Sequence, residues 1–230
     1  MSIVIGTTLP RGAIVMADTY ASFNYADGTR EWIEEGRDKM RELGPEVWAA
    51  VVGELPSSSK VAESLRQDLG TLTTPKALRA AQEDRAAATW EDLQAHPPED
   101  DDPQTLAVGL VTVGVLGGVS FLAGAFHNRN HPRDFQGPLY TKPWATWIMG
   151  EIHDIDCRDA YYAEFLAALD RHPPNPVGAV LDVGMKAITA ICHANPSYRL
   201  TPVQAVVVRE GKPTERLLLV ASNEDPRRYA

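Results

Sequence analysis

Cysteine is scarce in this sequence, which holds only Cys157 and Cys192 among 230 residues. A chain of this length can bury a hydrophobic core without disulfides, and the two cysteines do not have the paired spacing of a zinc site. We therefore expect a protein of a reducing compartment, with a cytoplasmic location. The N-terminal stretch MSIVIGTTLPRG also lacks the basic and apolar regions of a secretory signal.

Basic residues are also few, since 22 Lys and Arg stand against 31 Asp and Glu, for a formal net charge of −9. Proteins that coat phosphates present clustered Lys and Arg, so the composition predicts neither a nucleic-acid partner nor a membrane-surface partner. The motifs GxGxxG, GxxxxGK[ST], GxSxG and HExxH are absent from the sequence. We therefore predict no nucleotide cofactor, and the sequence carries none of these common hydrolase signatures.

Two groups of potential metal ligands occur, but their spacing fits no metal-site template. The groups are His127, His131 and Asp134, and His153, Asp154, Asp156 and Cys157. Polar loops are the preferred interpretation, and no metal is predicted.

One long uncharged run, residues 106–126, has the length of a membrane span. It is rich in valine, carries Gly117 and Gly118 in its middle and has no Lys or Arg cluster at either end. These features favour two buried strands joined by a tight turn over a transmembrane helix.

The remaining periodicity predicts alternating groups of strands and helices. Strands are predicted at residues 2–6, 13–17, 47–52, 202–209 and 216–221. Helices are predicted at 60–69, with Ser57, Ser58 or Ser59 as its cap, and at 76–93, 144–152, 158–169 and 177–193. The acidic, proline-containing residues 94–104 predict a mobile surface loop. This order predicts a single α+β domain over residues 1–230, arranged as a four-layer αββα sandwich.

The opening of the chain, SIVIG, a turn and AIVMAD, resembles that of proteasome β-type subunits and of the bacterial ATP-dependent ring peptidase. In that family the nucleophile begins the mature chain, and a glycine and an aspartate follow it by four and sixteen positions. Gly6 and Asp18 have this spacing from Ser2. The segment DKMREL and the strand after it resemble the family's catalytic-lysine segment, and residues 179–195 resemble its long helix that ends beside the active site.

The resemblance implies the sandwich fold of the N-terminal nucleophile hydrolases, with Ser2 as nucleophile after removal of Met1. The chemistry has its own rationale, because a first-residue hydroxyl can use its own α-amine as base, and that amine has a pKa of roughly 7.7 to 8.0. By the same resemblance, Lys39 is the lysine that eases deprotonation of the hydroxyl. Asp18 holds that lysine through a charge-assisted hydrogen bond.

The resemblance also implies supporting groups and partners. Ala50 and Ser22 correspond to residues whose backbone meets the oxyanion or the substrate, and Asn195 and Ser197 to residues that support the nucleophile. The implied partners are a peptide or protein substrate, further copies of the chain in a ring or spiral, and an ATPase unfoldase.

A second hypothesis is a catalytically inactive, proteasome-like scaffold or interaction subunit. Ala50 replaces the usual oxyanion-strand glycine, Asn195 replaces an aspartate that often supports the nucleophile, and no Gly-Ser-Gly element follows the long connection after the central hairpin. A shared fold does not by itself confer the family's chemistry, so both hypotheses stay open.

Overall fold

The computed structural model describes residues 3–32, 37–99, 101–103, 105–129, 137–149, 155–171, 173–194 and 202–220. Over these residues the chain forms twelve strands and four helices. In chain order they are β1 (Val4–Leu9), β2 (Gly12–Asp18), β3 (Ser22–Asn24), β4 (Arg30–Trp32), β5 (Met40–Gly44), β6 (Val47–Gly53), α1 (Leu55–Asp68), α2 (Pro75–Ala95), β7 (Ala107–Leu116), β8 (Val119–Asn128), β9 (Leu139–Tyr140), β10 (Thr146–Met149), α3 (Ile155–Asp170), α4 (Pro176–Ala194), β11 (Val203–Arg209) and β12 (Glu215–Leu219).

The first sheet has the strand order β10-β1-β2-β11-β12, and every neighbouring pair in it is antiparallel. The hairpin of β1 and β2 turns at Pro10 and Arg11, where Leu9 pairs with Gly12. β11 and β12 form the closing hairpin of the chain. These four strands confirm the strands predicted at both ends of the sequence, although β1 begins at Val4.

The helix predicted over residues 144–152 is wrong, because residues 146–149 form strand β10 at the edge of the first sheet. Trp144 and Trp147 are three residues apart, a spacing that neighbours on one face of a helix also have. The structure instead pairs Thr146 with Thr7 and Met149 with Val4 across an antiparallel ladder. An edge strand of four residues has too few side chains to show alternation, so its ladder partner decides its conformation.

The second sheet has the order β5-β6-β7-β8-β9 and is also antiparallel. The two strands predicted within residues 106–126 are confirmed as β7 and β8. Gly117 and Gly118 turn between them with φ of +59° and +75°, the left-handed region that glycine tolerates best. Among the described residues, no helix is long and apolar enough to cross a membrane.

The helices after β6 begin earlier than the sequence indicated. The predicted cap at Ser57, Ser58 or Ser59 is wrong, because α1 begins at Leu55 and the Glu54 carboxylate accepts the Ser57 N–H at 2.6 Å. A proline in the first turn and an acidic residue before it serve the same capping role. The helix predicted after Pro75 and the two later helices at 158–169 and 177–193 are confirmed as α2, α3 and α4.

Three short strands in the first quarter of the chain were not predicted from the sequence. β3 and β4 form a small hairpin, and β5 is the edge strand beside β6. The predicted acidic loop follows α2, and within it Asp101 bridges Tyr25 while the Asp102 N–H donates to the Asn24 carbonyl at 2.8 Å. The loop is thereby attached to the β3–β4 hairpin at one point, and its mobility stays a prediction.

The hydrophobic core has three parts. One lies between the first sheet and helices α3 and α4, a second lies between the second sheet and helices α1 and α2, and a third lies between the two sheets. Valines dominate the part between the sheets, where Val15 and Val206 are fully buried with Val111. The protein is thus an α+β structure with two facing antiparallel sheets and four helices, which is compatible with the predicted sandwich.

Candidate active site

Asp18 and Lys39 form a buried ion pair where the two sheets approach each other. Asp18 is the last residue of β2 in the first sheet, and Lys39 immediately precedes β5 in the second. The Lys39 Nζ donates to the Asp18 Oδ1 at 3.0 Å, and the two side chains are 0% and 1% exposed. Two residues 21 positions apart in the sequence are thus brought into direct contact, as the resemblance implied.

The start of the described chain is bonded to the same carboxylate. The Ile3 N–H donates to the Asp18 Oδ1 at 2.7 Å, and the Asp18 N–H donates to the Ile3 carbonyl at 3.2 Å. One oxygen of Asp18 therefore accepts both a backbone amide and the lysine ammonium. Ser2, the predicted nucleophile, lies outside the described residues.

Burial lowers the pKa of Lys39 below its usual value of 10.5, because removing an ammonium from water disfavours its charged form. The negative charge of Asp18 and its hydrogen bond act in the opposite direction. A fully buried lysine with a shifted pKa and one specific charge partner is a typical feature of functional sites.

The second oxygen of Asp18 is a spare acceptor. Asp18 Oδ2 is buried and has no hydrogen-bond partner among the residues the structure describes. An unsatisfied buried acceptor costs roughly 1–3 kcal/mol, and more when it is charged. Within the described residues, the site thus retains a buried oxygen that can still accept a hydrogen bond.

Cys192, in the last turn of α4, is a further member of the site that sequence reasoning missed. Its thiol is buried and interacts electrostatically with both Asp18 and Lys39. Burial, together with the charge of Asp18, raises the pKa of the Cys192 thiol to about 12, and the charge of Lys39 acts in the opposite direction. The available signal was its place next to Ile191 at the end of an apolar helix that the resemblance already directed toward the active site.

No protein-family model matches this sequence, and no curated protein matches it either.

The Cys192 thiol is expected to react slowly with a disulfide reagent in the native protein. At pH 8 a thiol with a pKa of about 12 is ionised to only ~10⁻⁴, against about a quarter for an ordinary cysteine. In a Cys157→Ser background, labelling of native Cys192 should be on the order of a thousandfold slower than in urea. Labelling at the same rate in both conditions would contradict the buried, protonated thiol.

The other predicted site residues either lie on nearby strands or fall outside the described residues. Ala50 lies in the interior of β6, where it pairs with Met40 on one side and Val111 on the other, and its side chain is buried between the sheets. Ser22 begins β3 and is half-buried. Asn195 and Ser197 lie outside the described residues. Of the predicted set, the structure therefore brings Asp18 and Lys39 into contact and places Ala50 one strand away from the latter.

The potential metal ligands that the sequence contains do not assemble over the described residues. His127 is fully buried, and its Nε2 lies 3.3 Å from Glu83 Oε1 on α2. Within the part of the chain that the structure describes, no group of three or more His, Cys, Asp or Glu side chains could hold a metal ion. His131, Asp134, His153 and Asp154, and the side chains of Asp156 and Cys157, lie outside that part.

Proposed function

We propose that this chain is a proteasome-like N-terminal nucleophile hydrolase that cuts peptide bonds with Ser2, once Met1 has been removed. The observation that carries the proposal is the buried contact of Lys39 with Asp18 at 3.0 Å, at the point where the chain enters its first strand. This is the pair that the resemblance to proteasome β-type subunits implied.

Covalent connectivity supports Ser2 as the group that this pair serves. Ser2 is joined by a peptide bond to Ile3, whose N–H donates to Asp18 at 2.7 Å. Under the proposal, the hydroxyl of the residue before Ile3 is therefore the group on which the Lys39–Asp18 pair acts. In that arrangement the Lys39 ammonium would stabilise the alkoxide that develops on the hydroxyl.

The reaction balances without any cofactor. The Ser2 Oγ attacks the carbonyl carbon of the scissile peptide bond while its proton moves to the free α-amine of the same residue. That proton passes to the leaving nitrogen as the peptide C–N bond breaks, which leaves an acyl ester on Ser2. Water, deprotonated by the α-amine, then attacks the ester carbonyl carbon. The ester C–O bond breaks, the acyl group leaves as a carboxylic acid, and the proton on the amine returns to the Ser2 oxygen.

The finer attributes of the family belong to the same proposal. They are the αββα sandwich of the N-terminal nucleophile type, a homo-oligomeric ring or spiral, an ATPase unfoldase partner and a cytoplasmic location.

One observation favours the inactive scaffold as the second candidate. The side chains of Asp18 and Lys39 are closed to solvent, and a buried ion pair of this kind also occurs as a purely structural element. In that case the pair fixes the junction of the two sheets and Ser2 has no chemical role.

Replacing Ser2 by alanine is expected to abolish peptidase activity, with a loss of at least about a hundredfold, because no other residue then carries the nucleophile. The measurement uses untagged protein whose intact mass shows removal of Met1, a set of fluorogenic peptides, and a peptide epoxyketone that reacts with a hydroxyl and an amine on the same residue. Ser2→Thr retains the hydroxyl and should keep activity and labelling.

Ser59→Ala is the matched control, because Ser59 lies on α1, where its hydroxyl oxygen accepts a hydrogen bond from the Arg41 guanidinium. It should leave rate and labelling unchanged. Retention of Met1 in the natural host, or equal epoxyketone labelling of wild type and Ser2→Ala, would refute the enzyme and leave the scaffold.

A further inference from the structure

Gln204 contacts the backbone of Lys39 from the opposite sheet. It lies on β11, where it pairs with Ala17 on β2 and Leu218 on β12. Its Oε1 accepts the Lys39 N–H at 3.0 Å. Because successive strand residues face opposite sides, Gln204 shares with Val206 and Val208 the side that faces the second sheet.

The carbonyl of Lys39 is held from its own sheet. The Val51 N–H of β6 donates to the Lys39 carbonyl at 3.0 Å. The two backbone groups of Lys39 are therefore fixed by strands of different sheets, the N–H by Gln204 and the carbonyl by Val51. Fixing the backbone of Lys39 sets the point from which its buried side chain reaches the Asp18 carboxylate.

The residues before Lys39 are bonded to the first sheet as well. Arg37, two residues before Lys39, donates its N–H to the Thr19 carbonyl at 2.9 Å. Asp38 binds the Arg216 guanidinium at the surface, where both side chains are half exposed. Among the described residues, the bond to Gln204 ties the backbone N–H of Lys39 directly to the sheet that carries Asp18.

The chemistry of the acceptor matters as much as its position. A glutamine carbonyl accepts the amide hydrogen bond without adding charge. A carboxylate at the same place would add a second negative charge near the lysine, beside that of Asp18. The amide therefore holds the lysine in place and leaves Asp18 as its anionic partner.

We infer that Gln204 is a positioning residue of this site, which sets how the Lys39 ammonium meets Asp18 by holding the backbone N–H of Lys39. The inference rests on the proposed function for its catalytic consequence. Its structural content, the control of the Lys39 ammonium by Gln204, holds whether or not the chain cuts peptides.

The test compares Gln204→Leu and Gln204→Glu with wild type by two readouts. The first is the titration of the Lys39 side chain, which is monitored by NMR of ¹³C-labelled lysine. The Lys39 signal is identified as the one that is missing in Lys39→Arg. The second is the pH profile of peptide cleavage, with kcat and KM determined separately. Gln67→Leu on α1 is the matched control, since Gln67 is exposed and bonds only Glu63 in the described structure.

Gln204→Leu should release Lys39, so that its pKa moves toward the usual lysine value and kcat falls at least about tenfold with little change in KM. Gln204→Glu keeps the acceptor and should retain most of the wild-type kcat. Its added negative charge should raise the pKa of Lys39 and shift the pH profile of cleavage to higher pH. Gln67→Leu should match wild type in both readouts.

The two readouts separate the two ideas. If no variant and no wild-type sample cleaves peptide, the proposed function fails and the lysine titration still decides the role of Gln204. A Lys39 titration that is the same in wild type and Gln204→Leu would overturn the inference. If Gln204→Leu does not fold, an unchanged Lys39 titration in Gln204→Glu would overturn it equally.

Discussion

Replacing Lys39 by methionine is expected to lower the free energy of unfolding by about 3–5 kcal/mol. The substitution keeps much of the apolar length of the side chain but removes the ammonium, so the Asp18 carboxylate is left buried and without its charged partner. Urea denaturation at neutral pH, followed by tryptophan fluorescence, measures the loss.

A double-variant cycle separates the interaction between Asp18 and Lys39 from the effect of each substitution on its other neighbours. Asp18→Asn together with Lys39→Met removes both charges, and the introduced amide retains an oxygen for the Ile3 N–H, so the double variant should recover much of the loss. The control is the Lys186–Asp182 pair on α4, whose side chains are 39% and 64% exposed. Lys186→Met should cost about 0.5 kcal/mol or less, and an equally small cost for Lys39→Met would contradict the buried pair.

Replacing Gly53 by alanine is expected to cost about 3 kcal/mol or more of unfolding free energy. Gly53 ends β6 with φ of +79°, and a Cβ added there would lie 2.2 Å from the Ala107 carbonyl oxygen. The same oxygen accepts the Glu54 N–H at 2.7 Å, so neither backbone can move without breaking the entry into α1. Urea denaturation again measures the change.

Gly28 provides a matched comparison, because its φ of +82° is nearly the same and nothing lies within 4 Å of an added Cβ. Gly28→Ala should therefore cost only the strain of the left-handed backbone, about 1 kcal/mol. The difference between the two variants isolates the collision with Ala107. Equal losses would show that conformational strain alone makes Gly53 necessary.

Much of the fold could be predicted from local pattern because most of its elements are long and strongly apolar. The hairpin of β7 and β8 shows this, since ten-residue strands rich in valine and alanine on either side of two glycines leave few alternatives. β10 could not be predicted, because its four residues become a strand only by pairing with β1, about 140 positions earlier in the chain. β3 and β4 could not be predicted either, because strands of three residues each are too short to show a pattern.

The residues of the candidate site also fall into those that the sequence indicated and those that it did not. Asp18 and Lys39 could be singled out because both lie near the start of the chain, where the resemblance supplies a spacing. Cys192 and Gln204 come from α4 and β11, and nothing in their local sequence indicates that they approach Lys39. Such contacts arise from the packing of the two sheets and the last helix, and no linear period encodes them.

The sharing of one oxygen by the Ile3 amide and the Lys39 ammonium has a consequence for the order of assembly during folding. Both hydrogen bonds need the Asp18 carboxylate in its final position, so the start of the chain and the lysine meet at the same group. A chain whose front end is displaced, by a fusion partner or an unfinished fold, therefore lacks a properly formed centre, and under the proposed function it would stay inactive until folding is finished.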